Sequence, residues 1–287
     1  MSIIEVKNLS FVYGIDTPFE KKAVEDVSLS VDEGEVIGLI GHTGSGKSTF
    51  VQMLNGLIKP TSGQVLLAGR DIWEKPKEIR NIRFKVGMVF QYPEYQLFDD
   101  TVYKDISFGP RNKGYSEKEI DEKVRNAARF VGLSERLLKE SPFDLSGGEK
   151  RRAAIAGIIA MDPDVLVLDE PTAGLDPKGK NLLLAQIMQY HKQRKNTIFI
   201  VSHSMEDISR IADRVMVMNK GRLEMLDTPR NIFAQVEKIE SMGLRVPQIT
   251  KIMMTLKERG VNLPDGILTV EQAFFEVVNL LKKEGKI

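Results

Sequence analysis

The stretch GHTGSGKST, residues 41–49, decides the fold of this chain. It matches the phosphate-loop pattern, in which a glycine and four further residues precede Gly-Lys-Ser/Thr. Its glycines let backbone N–H groups turn around phosphate oxygens, Lys47 reaches the β- and γ-phosphates, and the Ser48 hydroxyl can bind Mg²⁺. An apolar run at 35–40 predicts a strand before the loop, and a helix pattern begins near Lys47. This context favours a nucleotide site over a glycine-rich turn with an exposed lysine.

The composition is that of an ordinary globular chain with almost no net charge. The 287 residues suffice for one large domain, or for a domain with a smaller unit. A net charge of +1 gives no general attraction to nucleic acid or acidic lipid. The absence of cysteine excludes disulfides and thiolate metal sites. We expect no signal peptide in MSIIEVKNLS, and the apolar runs fall short of the ~20 residues that span a bilayer, so any membrane role should go through a partner.

Hydrophobic patterning predicts an α/β fold with helical additions. Alternating apolar residues at 3–12 and 23–31 predict antiparallel strands. Continuous apolar runs at 164–168 and 197–201 predict strands of a parallel sheet that is covered on both faces. Helices dominate from 91 to about 161. Further strands are predicted at 64–67, 85–90, 215–219 and 222–226, and further helices at 178–194, 229 to about 242, 247 to about 259 and 270 to about 283.

The sequence VLVLDEPT places two carboxylates, Asp169 and Glu170, at the end of a predicted buried strand. In open α/β sheets, ligands bind outside the carboxyl ends of strands. Asp169 is therefore suited to support Mg²⁺, and Glu170 to orient and deprotonate an attacking water. A solvated strand end is the alternative, and the phosphate loop in the same chain weighs against it.

A histidine, His203, ends the next predicted strand, in IFIVSHSMED. Its side chain could bond a γ-phosphate oxygen. A lone histidine is more often a helix cap or a core residue. Its expected place beside Asp169 and Glu170, on the same edge of the sheet, favours the phosphate role.

The segment LSGGEKRR, residues 145–152, predicts a second helix start that faces phosphate. Ser146 and Glu149 have capping-box spacing, which would explain a helix start without any ligand. A capping box does not require Gly147 and Gly148, each of which costs about 1 kcal/mol of helix propensity relative to alanine. Glycines do let another group approach the backbone N–H groups closely.

These motifs, in this order, resemble those of ATP-binding cassette (ABC) ATPases over about residues 3–227. The resemblance implies an ABC-type P-loop NTPase core, residues 1–227, with an antiparallel β subdomain and an inserted α-helical subdomain at about 92–160. It implies ATP and Mg²⁺ as cofactors. In this family two cassettes meet head to tail, so each signature faces the γ-phosphate held by the other subunit. The signature ends in Glu149 where glutamine is frequent.

The resemblance also implies roles for individual residues. Catalytic roles are expected for Glu170, His203 and Gln91, and Mg²⁺ is expected at Ser48, Gln91 and, through water, Asp169. Nucleotide contacts are expected at Tyr13, Gly41, His42, Thr43, Gly44, Ser45, Gly46, Lys47, Ser48 and Thr49. Ser146, Gly147, Gly148 and Glu149 are expected to act in trans, and Asp176 to lie in a loop at the dimer interface. Tyr13 aligns with the aromatic that stacks on adenine; a core tyrosine on an edge strand is the alternative.

A narrower resemblance rests on FQYPEYQLF, residues 90–98. This segment is similar to one in the ATPases of energy-coupling factor (ECF) transporters, which import vitamins and metal ions. The phosphate loop and the LNGLIKPTSG that follows resemble the second of the paired ATPases in those systems. The resemblance implies an ATP hydrolase at the cytoplasmic face of the membrane. Its implied partners are a second ABC ATPase, related or identical, a transmembrane coupling protein and a membrane substrate-binding subunit.

Two rival functions stay open at this point. One is the ATPase of a conventional importer that uses a solute-binding protein, and residues 93–98 argue against it. The other is a non-transport ABC ATPase that acts on DNA or ribosomes. A single cassette, no cysteine and a net charge near zero argue against that second function, so no nucleic-acid partner is expected.

The tail, residues 228–287, is predicted to be a helical dimerisation extension. Thr269 and Gln272 have capping-box spacing. An apolar stripe with helical spacing follows, formed by Val270, Ala273, Phe274, Val277 and Leu281. Lys282, Lys283 and Gly285 suit the end of that helix. We expect the stripe to pack within the tail or on another ATPase subunit, and GLRVPQI at 243–249 also resembles the ECF extension.

Overall fold

The computed structural model describes residues 1–283, in which two β-sheets are surrounded by helices. The strands of the larger sheet are β3 (Val36–Ile40), β6 (Val86–Val89), β7 (Val165–Asp169), β8 (Thr197–Val201), β9 (Arg214–Asn219) and β10 (Arg222–Asp227). They lie in the order β10-β9-β3-β8-β7-β6, and all pairs are parallel except the final hairpin. Every residue of β3, β6, β7 and β8 is buried, as the continuous apolar runs predicted.

The smaller sheet is antiparallel and contains β1 (Ser2–Tyr13), β2 (Lys21–Asp32), β4 (Ser62–Leu67) and β5 (Arg70–Asp71), in the order β2-β1-β4-β5. Helix α1 (Lys47–Leu54) packs its apolar face into the core that the two sheets share. Phe50 of this helix is fully buried in one cluster with Val6 of β1 and Leu39 of β3. The shared core therefore fixes the start of α1 beside the end of β3.

The helical region comprises α2 (Ile79–Lys85), α3 (Val102–Lys113), α4 (Glu117–Phe130) and α5 (Gly147–Ile159), with 3₁₀ turns at Pro93–Gln96, Glu135–Lys139 and Pro142–Asp144. Ile106, Val124 and Ile155 hold α3, α4 and α5 together in one core. The predicted strand at 85–90 is too long, because Lys85 ends α2 and Phe90 lies past the strand. Helix α2 was missed because it spans only seven residues, none of them buried, and a short stretch with Ile79 and Ile82 alone at helical spacing gives a weak signal.

The remaining helices are α6 (Pro177–Arg194), α7 (Met205–Ile211), α8 (Pro229–Phe233), α9 (Val236–Ser241), α10 (Gln248–Glu258) and α11 (Val270–Lys283). The single helix predicted from 229 to about 242 is wrong, because two short helices occupy that stretch. The backbone leaves the helical region at Gln235, with φ −92° and ψ 56°. Phe233 and Ile239, one on each piece, both reach the main core, so tertiary packing overrides local helix propensity here.

The last helix, α11, splits the predicted apolar stripe between two environments. Ala273 is buried with Met253 of α10, and Val277 packs against the same small core. Val270 and Phe274 are 67% and 71% exposed. The predicted Gly285 terminator lies outside the described residues. Within residues 1–283, no helix is both long enough and apolar enough to cross a membrane.

Candidate functional site

Three of the predicted motifs meet at one edge of the parallel sheet. Strand β8 pairs with β3 on one side and with β7 on the other, and the three strands run parallel. The phosphate loop follows β3, Asp169 ends β7, and His203 comes just after β8. The sheet topology thus brings together residues that are far apart in the sequence, as the ligand rule for open α/β sheets requires.

The phosphate loop has a backbone that its glycines make possible. Gly44 and Gly46 have φ values of +80° and +99°, a region that other residues rarely adopt. A Cβ atom on Gly46 would collide with the Ala23 carbonyl oxygen, whereas one on Gly44 would meet nothing within 4 Å. The loop is therefore tight against β2 on one side and open on the other, which leaves space for a phosphate chain.

Lys47 is a buried cation at the centre of this loop. Its Nζ donates to the carbonyl oxygens of Gly41 at 2.7 Å and His42 at 3.0 Å. Burial lowers the pKa of Lys47, and the carboxylates of Glu170 and Asp169 oppose that change. An anion beside Nζ would favour the charged ammonium further.

Tyr13 lies at the mouth of the loop and not in the core. Its side chain is 43% exposed, its ring packs edge-on against Phe11 at 4.7 Å, and its hydroxyl lies 3.2 Å from Thr49 Oγ1. Tyr13 and the phosphate loop line a cleft of about 160 Å³, together with Lys21, which the sequence analysis missed. The alternative of a core tyrosine is wrong. A larger cleft of about 700 Å³ lies elsewhere, against β5 and α2, and contains no phosphate loop.

The acidic pair has one buried member and one partly exposed member. Asp169 is buried, and burial raises the pKa of its carboxyl, an effect that a hydrogen bond with Ser48 opposes and the Glu170 carboxylate reinforces. Glu170 has a left-handed backbone with φ +50°. Its Oε1 lies 2.7 Å from Nε2 of His203. The Glu170 carboxylate and the His203 imidazole therefore lie side by side at the sheet edge.

His203 is half exposed, so it is not a core histidine. Nor does it cap the following helix, because the side chain of Ser204 accepts the hydrogen bond from the backbone N–H of Asp207 at the start of α7. Both alternatives weighed from the sequence are therefore wrong.

Residues at this sheet edge could bind a magnesium ion together with phosphate oxygens of a nucleotide. Ser48 lies close enough to Asp169 to oppose the rise that burial causes in the pKa of its carboxyl, and Gln91 follows β6, the strand beside β7. Hydroxyl, carboxylate and amide oxygens are ligands that Mg²⁺ prefers, usually together with substrate phosphates. Within residues 1–283, no cluster of three or more His, Asp or Glu side chains could bind a metal without such help.

The signature segment begins α5 with both hydrogen bonds of a capping box. Glu149 N donates to Ser146 Oγ at 3.4 Å, and Ser146 N donates to Glu149 Oε2 at 2.9 Å. A Cβ atom on Gly147 would meet nothing within 4 Å, and one on Gly148 would first meet Arg152 at 3.9 Å. No hydrogen bond or ion pair of the described chain joins residues 145–149 to residues 41–49. Intrachain packing therefore does not account for the two glycines.

One helix cap and two ion pairs of this region were missed from the sequence. Asp176 caps α6, since its Oδ1 accepts a hydrogen bond from Gly179 N at 2.9 Å; the Asp-Pro pair at a helix start was a usable signal. Lys180 of α6 forms a 2.7 Å ion pair with Asp207 of α7. Arg151 of α5 is buried and pairs with Glu94 at 2.8 Å. Neither ion pair has a local sequence signal, because its members are distant in the chain.

Comparison with known proteins gives concordant matches. The ABC transporter family profile matches residues 24–173. The energy-coupling factor transporter ATP-binding protein EcfA2 of Caldanaerobacter subterraneus subsp. tengcongensis is 52% identical, over 97% of this chain and 98% of its own. EcfA2 of Clostridium tetani is 51% identical over 98% of both chains.

Two solved structures resemble most of the chain. The structure of cbiO1 from Clostridium perfringens, part of the ABC transporter complex cbiONQ, has a TM-score of 0.75 and 38% identity over 88% of this chain and 99% of its own. A dimeric ATP-binding cassette in a post-hydrolysis state, bound to ADP and Pi, has a TM-score of 0.71 and 26% identity over 79% of this chain and 99% of its own.

Proposed function

The chain belongs to the ABC transporter family and, within it, to the ATP-binding proteins of energy-coupling factor transporters, and from this premise we propose how it powers uptake. It binds and hydrolyses ATP, closes on a second ATPase subunit, and drives import of a vitamin or other micronutrient through a membrane partner. The observation that carries the proposal is the meeting of the phosphate loop, the acidic pair and His203 at one sheet edge.

Each phosphate loop holds one nucleotide within its own chain. Tyr13 stacks on the adenine, and Lys47 and the N–H groups of 41–49 bind the phosphates. Ser48 and Gln91 ligate Mg²⁺, and Asp169 supports the ion through water. When bound, Mg²⁺ neutralises charge on the β- and γ-phosphate oxygens. The open side at Gly44 and the half-exposed ring of Tyr13 support this placement.

Hydrolysis depends on Glu170 and His203. Glu170 orients and deprotonates the attacking water, and the His203 ring bonds a γ-phosphate oxygen. Gln91, which follows strand β6, senses the γ-phosphate. A general base must lie within hydrogen-bond reach of the proton that it takes. The 2.7 Å contact between Glu170 and His203 supports these roles, because it places the two side chains close enough to act on the same water and γ-phosphate.

The signature acts on the nucleotide of a second cassette. Ser146, Gly147, Gly148 and Glu149 present the N-terminus of α5, and its free N–H groups favour an anion. The open space around both glycines supports close approach by the partner's γ-phosphate. Asp176, whose loop precedes α6, lies at the same interface.

Residues 93–98 and the neighbouring α3 form the surface for the membrane partner. A cleft of about 370 Å³ lies here, lined largely by apolar side chains that include Leu97, Phe98, Phe108 and Met161. Phe98 and Phe108 stack edge to face at 5.2 Å, and both are more than half exposed. An exposed apolar cleft of this kind is typical of a protein contact. Docking here places the chain at the cytoplasmic face of the membrane as a peripheral subunit.

The tail forms a second contact between ATPase subunits. The exposed face of α11 presents Val270, Phe274 and Phe275, each more than 60% exposed. The tail's own core is small and leaves this face uncovered. A contact through α11 holds two cassettes together while the nucleotide sites open.

The function is tested by isolating the native complex in mild detergent without cross-linking and measuring the masses of its subunits. We expect a second ABC ATPase and hydrophobic membrane subunits in the complex. Reconstitution in vesicles should then give ATP-dependent uptake. Co-purification of a solute-binding protein would favour a conventional importer, and co-purification of nucleic acid would favour a non-transport ATPase. Either result would refute the ECF assignment.

A further inference from the structure

Arg151 is a buried arginine with no role in the reaction proposed above, yet it belongs to one segment of the site and contacts two others. It lies on α5, just after the signature residues. It bonds Glu94, in the turn that follows Gln91, and the backbone carbonyls of Pro171 and Ala173. Those carbonyls belong to the loop that leads from Glu170 to the start of α6.

The geometry of these contacts is that of a rigid clamp. Nε of Arg151 donates to Oε2 of Glu94 at 3.1 Å, and Nη2 donates to Oε1 at 2.8 Å. Nη1 donates to the carbonyl oxygens of Ala173 and Pro171. The guanidinium is planar and its donors have fixed directions. A shift of the Glu94 carboxylate therefore rotates the donor that faces the Ala173 carbonyl. A lysine has no second fixed donor and would lose this linkage.

The Arg151–Glu94 pair is less exposed to solvent than the other ion pairs of residues 1–283. The side chains of Arg151 and Glu94 are 4% and 17% exposed. Among the ion pairs of residues 1–283, no other has both side chains below one-fifth exposure. Solvent screens a buried pair weakly, and loss of one member leaves the other charge uncompensated.

We propose that Arg151 is a positioning residue that makes three segments move as one unit. These are residues 93–98, the signature at the start of α5, and the loop at 171–176. A displacement of residues 93–98 by the membrane partner then moves both surfaces that meet the second cassette. The inference rests on the proposed function, which gives each of these segments its contact.

The alternative is that the pair only stabilises the core of the helical region. Loss of a simple core contact would lower all activities together, since it would reduce the folded fraction. Loss of a positioning contact changes how much uptake accompanies each ATP hydrolysed. The ratio of uptake to hydrolysis therefore separates the two roles.

Two variants test the clamp, and a third controls for charge. Glu94→Gln keeps the shape of the side chain but removes its charge and one acceptor. Arg151→Lys keeps the charge but removes the fork. Asp100→Asn removes the carboxylate of an exposed 2.7 Å pair with Lys104 in the same region, so it controls for loss of a carboxylate outside the clamp.

The first experiment is hydrogen exchange on the purified chain alone. In both test variants we expect amides of 173–176 and of the first turn of α5 to exchange about tenfold faster than in the wild type. Asp100→Asn should exchange at the wild-type rate at those amides. Unchanged exchange in Glu94→Gln and Arg151→Lys would overturn the proposal. This result does not depend on the membrane partner, so it stands even if the chain proves not to belong to a transporter complex.

The second experiment uses the full complex in vesicles. We expect uptake per ATP hydrolysed to fall about tenfold in each test variant, while KM for ATP changes less than about twofold, because neither Arg151 nor Glu94 lines the cleft at the phosphate loop. The double variant should be no worse than either single variant, as for two members of one interaction. Uptake and hydrolysis that fall in equal proportion, or fully additive effects of the two changes, would show a merely structural pair. A wild-type complex that does not form would refute the proposed function and leave the exchange result to decide on the clamp.

Discussion

The phosphate loop and the signature segment both place glycines at the start of a helix, but for different reasons. Gly46 has φ +99°, and the Ala23 carbonyl leaves no room for a side chain. Gly147 and Gly148 lack a positive φ and have open space where a Cβ would lie. The fold of the chain therefore requires glycine at position 46 but not at positions 147 and 148. In the proposed function, the phosphate loop forms a site that is complete within the chain, whereas the signature forms a site that is completed by a second subunit.

The largest effect is expected at the nucleotide site within the chain, from a change that affects ATP hydrolysis but not ATP binding. Glu170→Gln should lower ATP turnover by roughly a hundred- to ten-thousand-fold, the usual contribution of a general base. Nucleotide binding should persist, because Lys47 and the loop N–H groups are unchanged. Turnover and nucleotide affinity are measured side by side on the same preparation. Near-normal turnover would remove Glu170 from the role of base.

The next largest effect is expected at the signature segment. Ser146→Arg should lower hydrolysis about a hundredfold, comparable with loss of one key transition-state contact, because a bulky cation would enter the partner's γ-phosphate site. Binding of ATP to the separate subunit should not change. Loss of ATP binding by that isolated subunit would place Ser146 in the nucleotide site of its own chain and would refute its proposed action on the partner's nucleotide.

A mixture provides the control for Ser146→Arg. If copies of the chain pair, subunits with Ser146→Arg mixed with Lys47→Ala subunits should recover activity, since one composite site then contains neither change. If the signature acted in cis, every site in the mixture would contain one change and no activity would return.

Smaller effects are expected when one glycine of each segment is replaced by alanine, and the two variants can be compared directly. Gly46→Ala should destabilise the fold by about 1–3 kcal/mol, the usual cost of strained backbone, and weaken nucleotide binding. Gly148→Ala should leave the fold as stable or add up to about 1 kcal/mol from helix propensity, yet lower hydrolysis about tenfold. Thermal unfolding and turnover are compared for the two variants. Equal destabilisation by both would show that the signature glycines also serve the chain's own fold.

A smaller effect, on uptake, is expected at the surface proposed for the membrane partner. In the sequence this surface, residues 93–98, lies between the phosphate loop and the signature segment. Replacing Gln96 and Leu97 with alanine should lower uptake several-fold, roughly the effect of truncating moderate contacts in an interface. Hydrolysis by the ATPase subunits alone should continue, because neither side chain lines the nucleotide cleft. Loss of folding together with both activities would mean that Leu97, which packs partly against the main core, is a core residue only.

The smallest effect on turnover is expected from removal of α11 alone, because the earlier part of the tail contributes to the main core the residues Ile232, Phe233, Ile239, Leu244, Val246 and Leu268. Truncation after Leu268 should leave hydrolysis within about twofold when the subunits are concentrated, because no residue of the removed segment lines the nucleotide cleft. Subunits without nucleotide should come apart, because α11 no longer holds them near each other. Light scattering with the natural partner measures this. An unchanged dimer mass would show that α11 serves only the packing of the tail.

The sequence by itself determined the features that rest on local patterns. The phosphate loop follows from the spacing of its glycines and Lys47, and the buried strands follow from unbroken apolar runs. The start of α11 at Val270 was predicted correctly, because Thr269 and Gln272 form the capping box that their spacing indicated. The residue roles taken from the family resemblance remain predictions.

Only the tertiary structure decided how distant segments meet. The Arg151–Glu94 pair joins residues that are 57 positions apart in the sequence, and nothing in either neighbourhood indicates the other. The same holds for the break at Gln235 and for the exposure of Phe274, which depend on which core each helix can reach. Local patterns report the preference of a short stretch of backbone. Contacts between distant side chains depend on the path of the whole chain, because packing and burial are settled only when the sheets and helices come together.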